Sequence, residues 1–410
     1  MPVSQIPRCR GLVLHDCHAE ILAIRGFNYW LINECRSVLM CDGLSPFIRR
    51  RRSSSSQPPC PPLELQADIK IYMYCSCAPC GDASMELCMA SQEDPTPWEM
   101  GEPSLSRPLL LDGRANFSQL GVVRRKPARA DAEPTRSKSC SDKLALRQVV
   151  GLLSCETSLL VAPVYLEGLI LPDEEFNRQA CKRSFAGRMK IFYGRLWGIP
   201  ADDDISELIE EQEGQGTERM ACYYGFRPFK VFPIPTSQVN TVWPYGKPSF
   251  KLSKPGGNTK VGNLSVVWAA APTSLIGYSC RSLPILAKTK TGLYENIING
   301  VKQGNRASMP TAKGASGLSR AKMWGLVRAL IRDVPSAYPL HQSLVERPTY
   351  KDFKKPSLSA SVLGARTRAI IGAKDALKGW VPNEGDESWG LDILVDEGKK
   401  KNALNHSSMK

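Results

Sequence analysis

Nowhere in this 410-residue chain do apolar residues run unbroken towards the 18 or so that a bilayer requires, so no membrane-spanning segment is expected. A charged-then-apolar leader with a small-residue cleavage site is also missing, which argues against secretion. The 14 cysteines are therefore expected as reduced thiols of an intracellular protein, nuclear and/or cytoplasmic, and not as a disulfide scaffold. No internal repeat occurs. A second Cys-x-x-Cys is lacking as well: Cys77-Ala78-Pro79-Cys80 stands alone, so a four-cysteine zinc cage cannot be completed. Acidic residues are in short supply, 40 against 54 basic ones. The resulting net charge of +14 points to a polyanionic partner and argues against free nucleosides as substrates.

What is present begins with His18-Ala19-Glu20, a metal-binding imidazole two residues before a carboxylate at the start of an apolar-periodic segment. From Cys17 to about Met40, Ile21, Ile24, Leu31, Cys35 and Val38 fall near helical spacing, placing His18 and Glu20 in the first turn of a long helix. Asp68 to Cys75 alternates as a strand does, and Pro79 to about Ala90 reads as the following helix, with Cys80 at its start, where free N–H groups favour a thiolate. Ser139-Cys140-Ser141-Asp142 opens another helix. Val164–Leu171 is a strand and Pro172 to about Met189 a helix, so the expected architecture is α/β layers.

One imidazole and two thiolates would leave zinc a fourth position for water, whose pKa such a metal lowers to about 7. Glu20 would move the proton from that water to a ring nitrogen and a leaving amine on an aromatic carbon. The second thiolate is open at this point. Position 83, where the simplest deaminase signature places it, is alanine, which leaves Cys77, Cys140 or another cysteine.

Taken together, His-Ala-Glu, Pro79-Cys80-Gly81-Asp82-Ala83 and Ser139-Cys140-Ser141-Asp142-Lys143 resemble the adenosine-to-inosine RNA deaminases. Val13-Leu14-His15-Asp16, Gly81–Met85 and the stretch from Gly121 to Pro134 are similar to the eukaryotic tRNA-specific adenosine deaminase 1 group and less so to the double-stranded-RNA editing enzymes. The resemblance implies a cytidine-deaminase-like three-layer α/β/α fold with a C-terminal helical extension. It implies His18, Cys80 and Cys140 as zinc ligands, Glu20 as proton shuttle, and inosine formation next to the anticodon of alanine tRNA. It further implies a buried inositol hexakisphosphate held by Lys143, Arg25, Arg320, Tyr350, Lys354, Arg366 and Trp380, with Lys143 linked to the metal site through Asp16. Arg147 stands where the double-stranded-RNA enzymes carry tryptophan, so the cage is expected to be remodelled there. Family members carry several dozen residues before the His-Ala-Glu helix, so the N-terminus is expected to be truncated.

Arg124, Arg125, Lys126 and Arg129, between the two thiolate segments, are expected to contact tRNA phosphates at the mouth of the site. The deaminase domain is expected over 1–396, with disordered inserts at about 43–66 and 91–108 and a disordered basic tail at 397–410. Arg49–Arg52 and Ser53–Ser56 read first as a linker, and otherwise as an import signal, an RNA-grabbing arm or a phosphorylation site. No obligate protein partner is expected. The competing readings are a catalytically impaired RNA-binding protein that retains a structural zinc, and a deaminase acting on free nucleosides or on cytosine.

Overall fold

The computed structural model describes residues 1–40, 45–51, 60–90, 111–112, 119–126, 133, 135–189, 224–242, 263–271, 292–334, 342–355 and 362–395. The expected insert at 91–108, Ser53–Ser56, Arg129 and the tail from 397 lie outside them. No helix among the described residues is long and apolar enough to cross a membrane.

The chain opens with a 3₁₀ turn at Val3–Arg8 and enters helix α1 (Ala19–Met40). Of the positions the sequence predicts, Ile24, Leu31, Cys35 and Val38 are buried and Ile21 is half-buried, and Leu22 and Ile32 are buried besides. Burial extends round most of the helix and not along one stripe, because α1 is enclosed by strands and helices on several sides. Asn28 ties it down: its side-chain amide donates to the Ile24 and Leu152 carbonyls and accepts from the Ser154 N–H.

Next come β1 (Ile48–Arg50) and β2 (Leu63–Leu65), an antiparallel pair. They correct the expectation of disorder across 43–66. Ile48 and Leu63 are buried, Glu64 pairs with both Arg49 and Arg51, and Leu63 exchanges backbone bonds with Leu160 and Ala162. Two arginines of the basic run are thus committed to a strand pair.

Strand β3 (Tyr72–Tyr74) leads to α2 (Met85–Ala90); a parallel pair of two-residue strands, β4 (Leu111–Asp112) and β5 (Arg124–Arg125), precedes α3 (Cys140–Val150). Strand β6 (Gly168–Pro172) pairs parallel with β3 on one side and with β7 (Lys230–Ile234) on the other. The order β3-β6-β7 makes β6 central, with Leu169 and Leu171 fully buried, while Pro233, which cannot donate to a ladder, is confined to the edge strand. The continuous helix expected over 172–189 is instead a short α4 (Arg178–Cys181) capped by Asn177, a widened π turn over Lys182–Ala186 and a 3₁₀ turn. The widened turn places Arg183 and Ser184 together on buried Asp82, whose Oδ2 they reach at 3.1 and 2.8 Å.

After α5 (Thr236–Val242) an antiparallel sheet follows: β8 (Leu264–Ala270), β9 (Gly292–Ile298) and β10 (Val301–Lys302), in the order β10-β9-β8. The expected helical extension is therefore preceded by a sheet that packs on α1 through β8. The helices come last: α6 (Arg320–Asp333), α7 (Gln342–Val345), α8 (Tyr350–Lys354) and α9 (Val362–Ala376). Fully buried Trp324 of α6 stacks on Phe353 and meets Tyr350 and Trp389 edge-on, uniting this part with the main core. The whole is an α/β fold.

Candidate metal centre

His18 is the residue before α1, not within its first turn: its carbonyl accepts from the Ile21 and Leu22 N–H groups, and its own N–H donates to Asp16 Oδ1 at 3.1 Å. Glu20 is the second helical residue. Cys80 follows β3 but stands ahead of a 3₁₀ turn at Asp82–Ser84, five residues before α2, so no helix of its own caps it. The N–H that reaches its sulfur comes from Cys140, at 3.3 Å, at the N-terminus of α3. The segment Ser139–Asp142 wires this junction by itself. Ser139 caps α3, Cys140 is its first residue, Ser141 donates to the Pro79 and Cys80 carbonyls at 3.0 Å, and Asp142 accepts from the Arg124 N–H and pairs with Arg188.

Gly81 makes the approach of the two cysteine segments feasible. Its φ of 104° is unfavourable for a side chain, and a Cβ there would lie 2.2 Å from Ser139 Oγ. Gly81→Ala is expected to destabilise the fold by roughly 1–3 kcal/mol through backbone strain alone. Displacement of Ser139 should also lower metal content, a change readable by thermal unfolding and metal analysis of the same preparation.

The three side chains converge. His18 Nδ1 lies 3.6 Å from Cys80 Sγ and 3.5 Å from Cys140 Sγ, and the three ligand atoms are all within 4.8 Å of one another. One tetrahedral zinc with sulfur at about 2.3 Å and nitrogen at 2.0–2.1 Å requires a sulfur–nitrogen separation of roughly 3.5 Å. The donor set therefore fits zinc in type and spacing. Glu20 Oε2 lies 3.5 Å from Cys140 Sγ, beside the ligands and not among them. Cys77, left open by the sequence, does not belong to the converging group. The Cys140 thiol, His18 and Lys126 hold Cys80 well below the ordinary thiol range, and the hydrogen bond to Cys80 raises the His18 imidazolium pKa.

Lys126 corrects an expectation. Read as a phosphate contact at the mouth of the site, it is instead drawn inward, its ammonium 2.9 and 3.1 Å from the Asp16 carboxylate and 3.3 Å from Cys140 Sγ. Burial alone would depress that ammonium, but Cys80, Asp16 and Cys140 outweigh it and raise it above the usual lysine range. Lys143 also pairs with Asp16, and Ser137 donates to the same carboxylate at 3.1 Å. Arg124 is corrected likewise: it is 1% exposed, with its guanidinium donating to the Gln119 carbonyl at 2.7 Å. Of the other two expected RNA contacts, Arg125 is half-buried and Arg129 lies outside the described residues.

Behind Asp16 and Lys143 the structure gathers a second group of cations. Arg147 is pushed down to about 9 by burial and by the neighbouring Arg366 and Arg25. Lys374 is lowered by burial, Lys354 and Arg366; Lys138 is pushed down to about 7 by burial, Lys143 and Lys374. The Lys354 ammonium sits 5.7 Å from the Tyr350 ring centre, and Lys138 lies 5.0 Å from that of Trp380. Arg366 Nε is buried without a partner. So Arg25, Lys143, Tyr350, Lys354, Arg366 and Trp380 fall in one region, joined by Arg147, the position where remodelling is expected, and by Lys374 and Lys138, which the sequence reading did not single out. Arg320 lies at the edge of the same group, 5.9 Å from the Tyr350 ring centre and close enough to lower Arg25, while its guanidinium also pairs with Asp386 at 2.5 Å and reaches His15. The protein partners of these guanidinium groups are carbonyls: Arg147 donates to Gly151 and Leu153, Arg366 to Leu153 and Arg25 to Leu318.

Residues 4–197 match the family model of the adenosine-deaminase (editase) domain. Tested against known proteins, the chain is 29% identical over 377 residues to the tRNA-specific adenosine deaminase 1 of Schizosaccharomyces pombe, an alignment covering 92% of this chain and 78% of that protein. It is 35% identical over 199 residues to the protein of that name from Saccharomyces cerevisiae, covering 46% and 48%. A double-stranded RNA-specific editase B2 of Mus musculus is 28% identical over 180 residues, 40% of this chain and 22% of that one. The chain thus spans most of the fission-yeast relative and about half of the budding-yeast one.

Proposed function

We propose that this chain is a member of the adenosine-deaminase (editase) family and hydrolyses adenosine to inosine in tRNA. The convergence of His18, Cys80 and Cys140, with Glu20 beside them and outside the ligand set, carries this reading. Zinc held by those three residues would supply the Lewis acidity that makes a water nucleophilic at neutral pH.

The remaining work falls to the protein's own groups. Glu20 takes one proton of the water as its oxygen bonds to C6 of the adenine and delivers it to N1, then moves the remaining hydroxyl proton to the amine, so that C6 becomes a carbonyl as the C6–N bond breaks and ammonia leaves. Asp16 orients His18 through its N–H and holds Lys126 against Cys140, fixing the ligand set from behind. Arg125 meets RNA phosphate at the rim. We assign the adenosine next to the anticodon of alanine tRNA as target, and a three-layer α/β/α arrangement to the fold. The cation group behind Lys143 holds inositol hexakisphosphate. Six phosphates at neutral pH offset the mutual repulsion of Arg25, Arg147, Arg366, Lys354 and Lys374.

The test is incubation of the purified chain with total tRNA, followed by sequencing in which inosine reads as guanosine. A new adenosine-to-guanosine signal beside an anticodon supports the reading; tRNA binding and bound zinc with no such signal, in wild type as in Glu20→Gln, would establish a non-catalytic RNA-binding protein instead. Acid-denatured protein should release about one inositol hexakisphosphate per chain. A preparation stripped of it should unfold at lower temperature, since ligand bound only by the native state stabilises that state.

A further inference from the structure

The loop that carries Cys80 is held from two sides, and only one of them lies in a motif. Residues 75–80 leave β3 at the carboxyl edge of the parallel sheet, the edge at which open α/β sheets build their sites. There the Cys75 N–H donates to the Ile170 carbonyl of β6 at 3.0 Å. On the far side of the loop, Ser141 Oγ donates to the Pro79 and Cys80 carbonyls. On the near side, the N–H of buried Ala78 donates to Glu175 Oε2 at 2.9 Å, across 97 residues of sequence. Pro79 has no N–H to offer, so this bond is the tie closest to the ligand on its N-terminal side.

Glu175 is itself presented by a firmly placed turn. Asp173–Glu175 forms a 3₁₀ turn at the end of β6. Asp173 Oδ1 accepts from the Thr236 N–H at 3.1 Å, at the start of α5, and the Phe176 N–H returns to the Asp173 carbonyl at 3.2 Å while the Phe176 ring packs on the main core. Asp173 and Glu175 thus strap together the carboxyl ends of β3, β6 and β7, one reaching forward to Thr236 and the other back to Ala78.

We propose that Glu175 is a positioning residue of the metal centre, acting through the Ala78 N–H to fix the turn on which Cys80 stands. Transmission over those two residues is stiff. The Pro79 ring fixes one torsion between Ala78 and Cys80, and a proline also confines the residue before it to extended backbone. A shift of Ala78 therefore reappears at Cys80 Sγ, which has to stay 3.6 Å from His18 Nδ1 and 3.3 Å from the Cys140 N–H for the ligand set to close. Without the carboxylate the Ala78 N–H would be buried and unsatisfied, and the turn would move to find another acceptor. What the contact requires is an acceptor oxygen at that reach, which glutamine also supplies and alanine does not.

The catalytic consequence rests on the deaminase reading; the consequence for the metal does not, and separate readouts keep the two apart. In Glu175→Ala, zinc affinity measured by competition with a chelator and kcat for inosine formation should each fall about 10–100-fold, the usual effect of removing outer support from a ligand, with KM nearly unchanged. The thiolate-to-cobalt charge-transfer bands of the cobalt-substituted protein should shift with them, and Glu175→Gln should restore affinity, bands and kcat together. A Glu175→Ala protein that melts earlier yet keeps the wild-type bands, zinc affinity and kcat well below its melting temperature overturns the proposal. So does a glutamine variant as impaired as the alanine one, which would trace the effect to charge. If wild type itself forms no inosine, the deaminase reading fails, while affinity and bands still decide the part of Glu175. Should Glu175→Ala not fold, Glu175→Ser, whose hydroxyl is too short to reach the Ala78 N–H, is compared with Glu175→Gln by the same two readouts.

Discussion

Glu20→Gln should reduce inosine formation about 10²–10⁴-fold, the usual worth of a positioned general acid–base group, while the protein keeps its fold, its zinc and its affinity for tRNA. The glutamine fills the same space at the second position of α1, where Glu20 Oε2 lies 3.5 Å from Cys140 Sγ. It cannot accept or return a proton, so the loss falls on kcat and leaves KM almost unchanged. Because Glu20 is outside the converging ligand set, metal content is the control that separates this outcome from a general collapse of the site. A variant with kcat within threefold of wild type would remove Glu20 from the chemistry.

Asp16→Asn should have the largest effect on stability. The carboxylate is 8% exposed and faces two ammonium groups, Lys126 at 2.9 Å and Lys143, with Ser137 completing its shell. Burial alone would raise its pKa, but Lys143, Lys126 and His18 hold it well below the usual carboxylate range. Neutralising it leaves two buried cations uncompensated, a situation that costs about 3–5 kcal/mol. Chemical denaturation should register that loss, and metal analysis a parallel loss of zinc, since the substitution frees Lys126 from its place against Cys140. The pH dependence follows in sign. A carboxylate whose folded pKa is depressed contributes stability that is complete above its unfolded value near 3.9 and is lost as pH falls through the folded one. The acid limb of wild-type stability should therefore begin below about pH 4, and Asp16→Asn should lack this contribution to it.

His18, Cys80 and Cys140 were legible because each lies in a short local signature, His-Ala-Glu, Pro-Cys-Gly and Ser-Cys-Ser, whose elements the sequence also places. Lys126 was misread because a run of three basic residues looks like a solvated loop. Arg124 and Lys126, two positions apart on and just after β5, both turn to internal partners, as strand alternation allows. The pairing of β1 with β2 was invisible to composition, since it rests on Glu64 meeting Arg49 and Arg51 across a Ser/Pro-rich stretch. The broken helix after β6 was hidden for a similar reason. Its shape answers to Asp82 and Asp142, about 100 and 46 residues away from the Arg183 and Arg188 side chains that seek them. Arg147 stood out in the sequence as a departure, and the structure gives it a place among the buried cations.

Those cations come from residue 25 at one extreme and residue 374 at the other. A chain emerging from the ribosome has its thiolate and imidazole segments in hand by residue 140, long before α9 has been made. Until that last helix arrives, the first arginines have no enclosure in which to share a counter-ion. Assembly of this cation group is thus ordered in time, since it cannot be complete before α9 has been made.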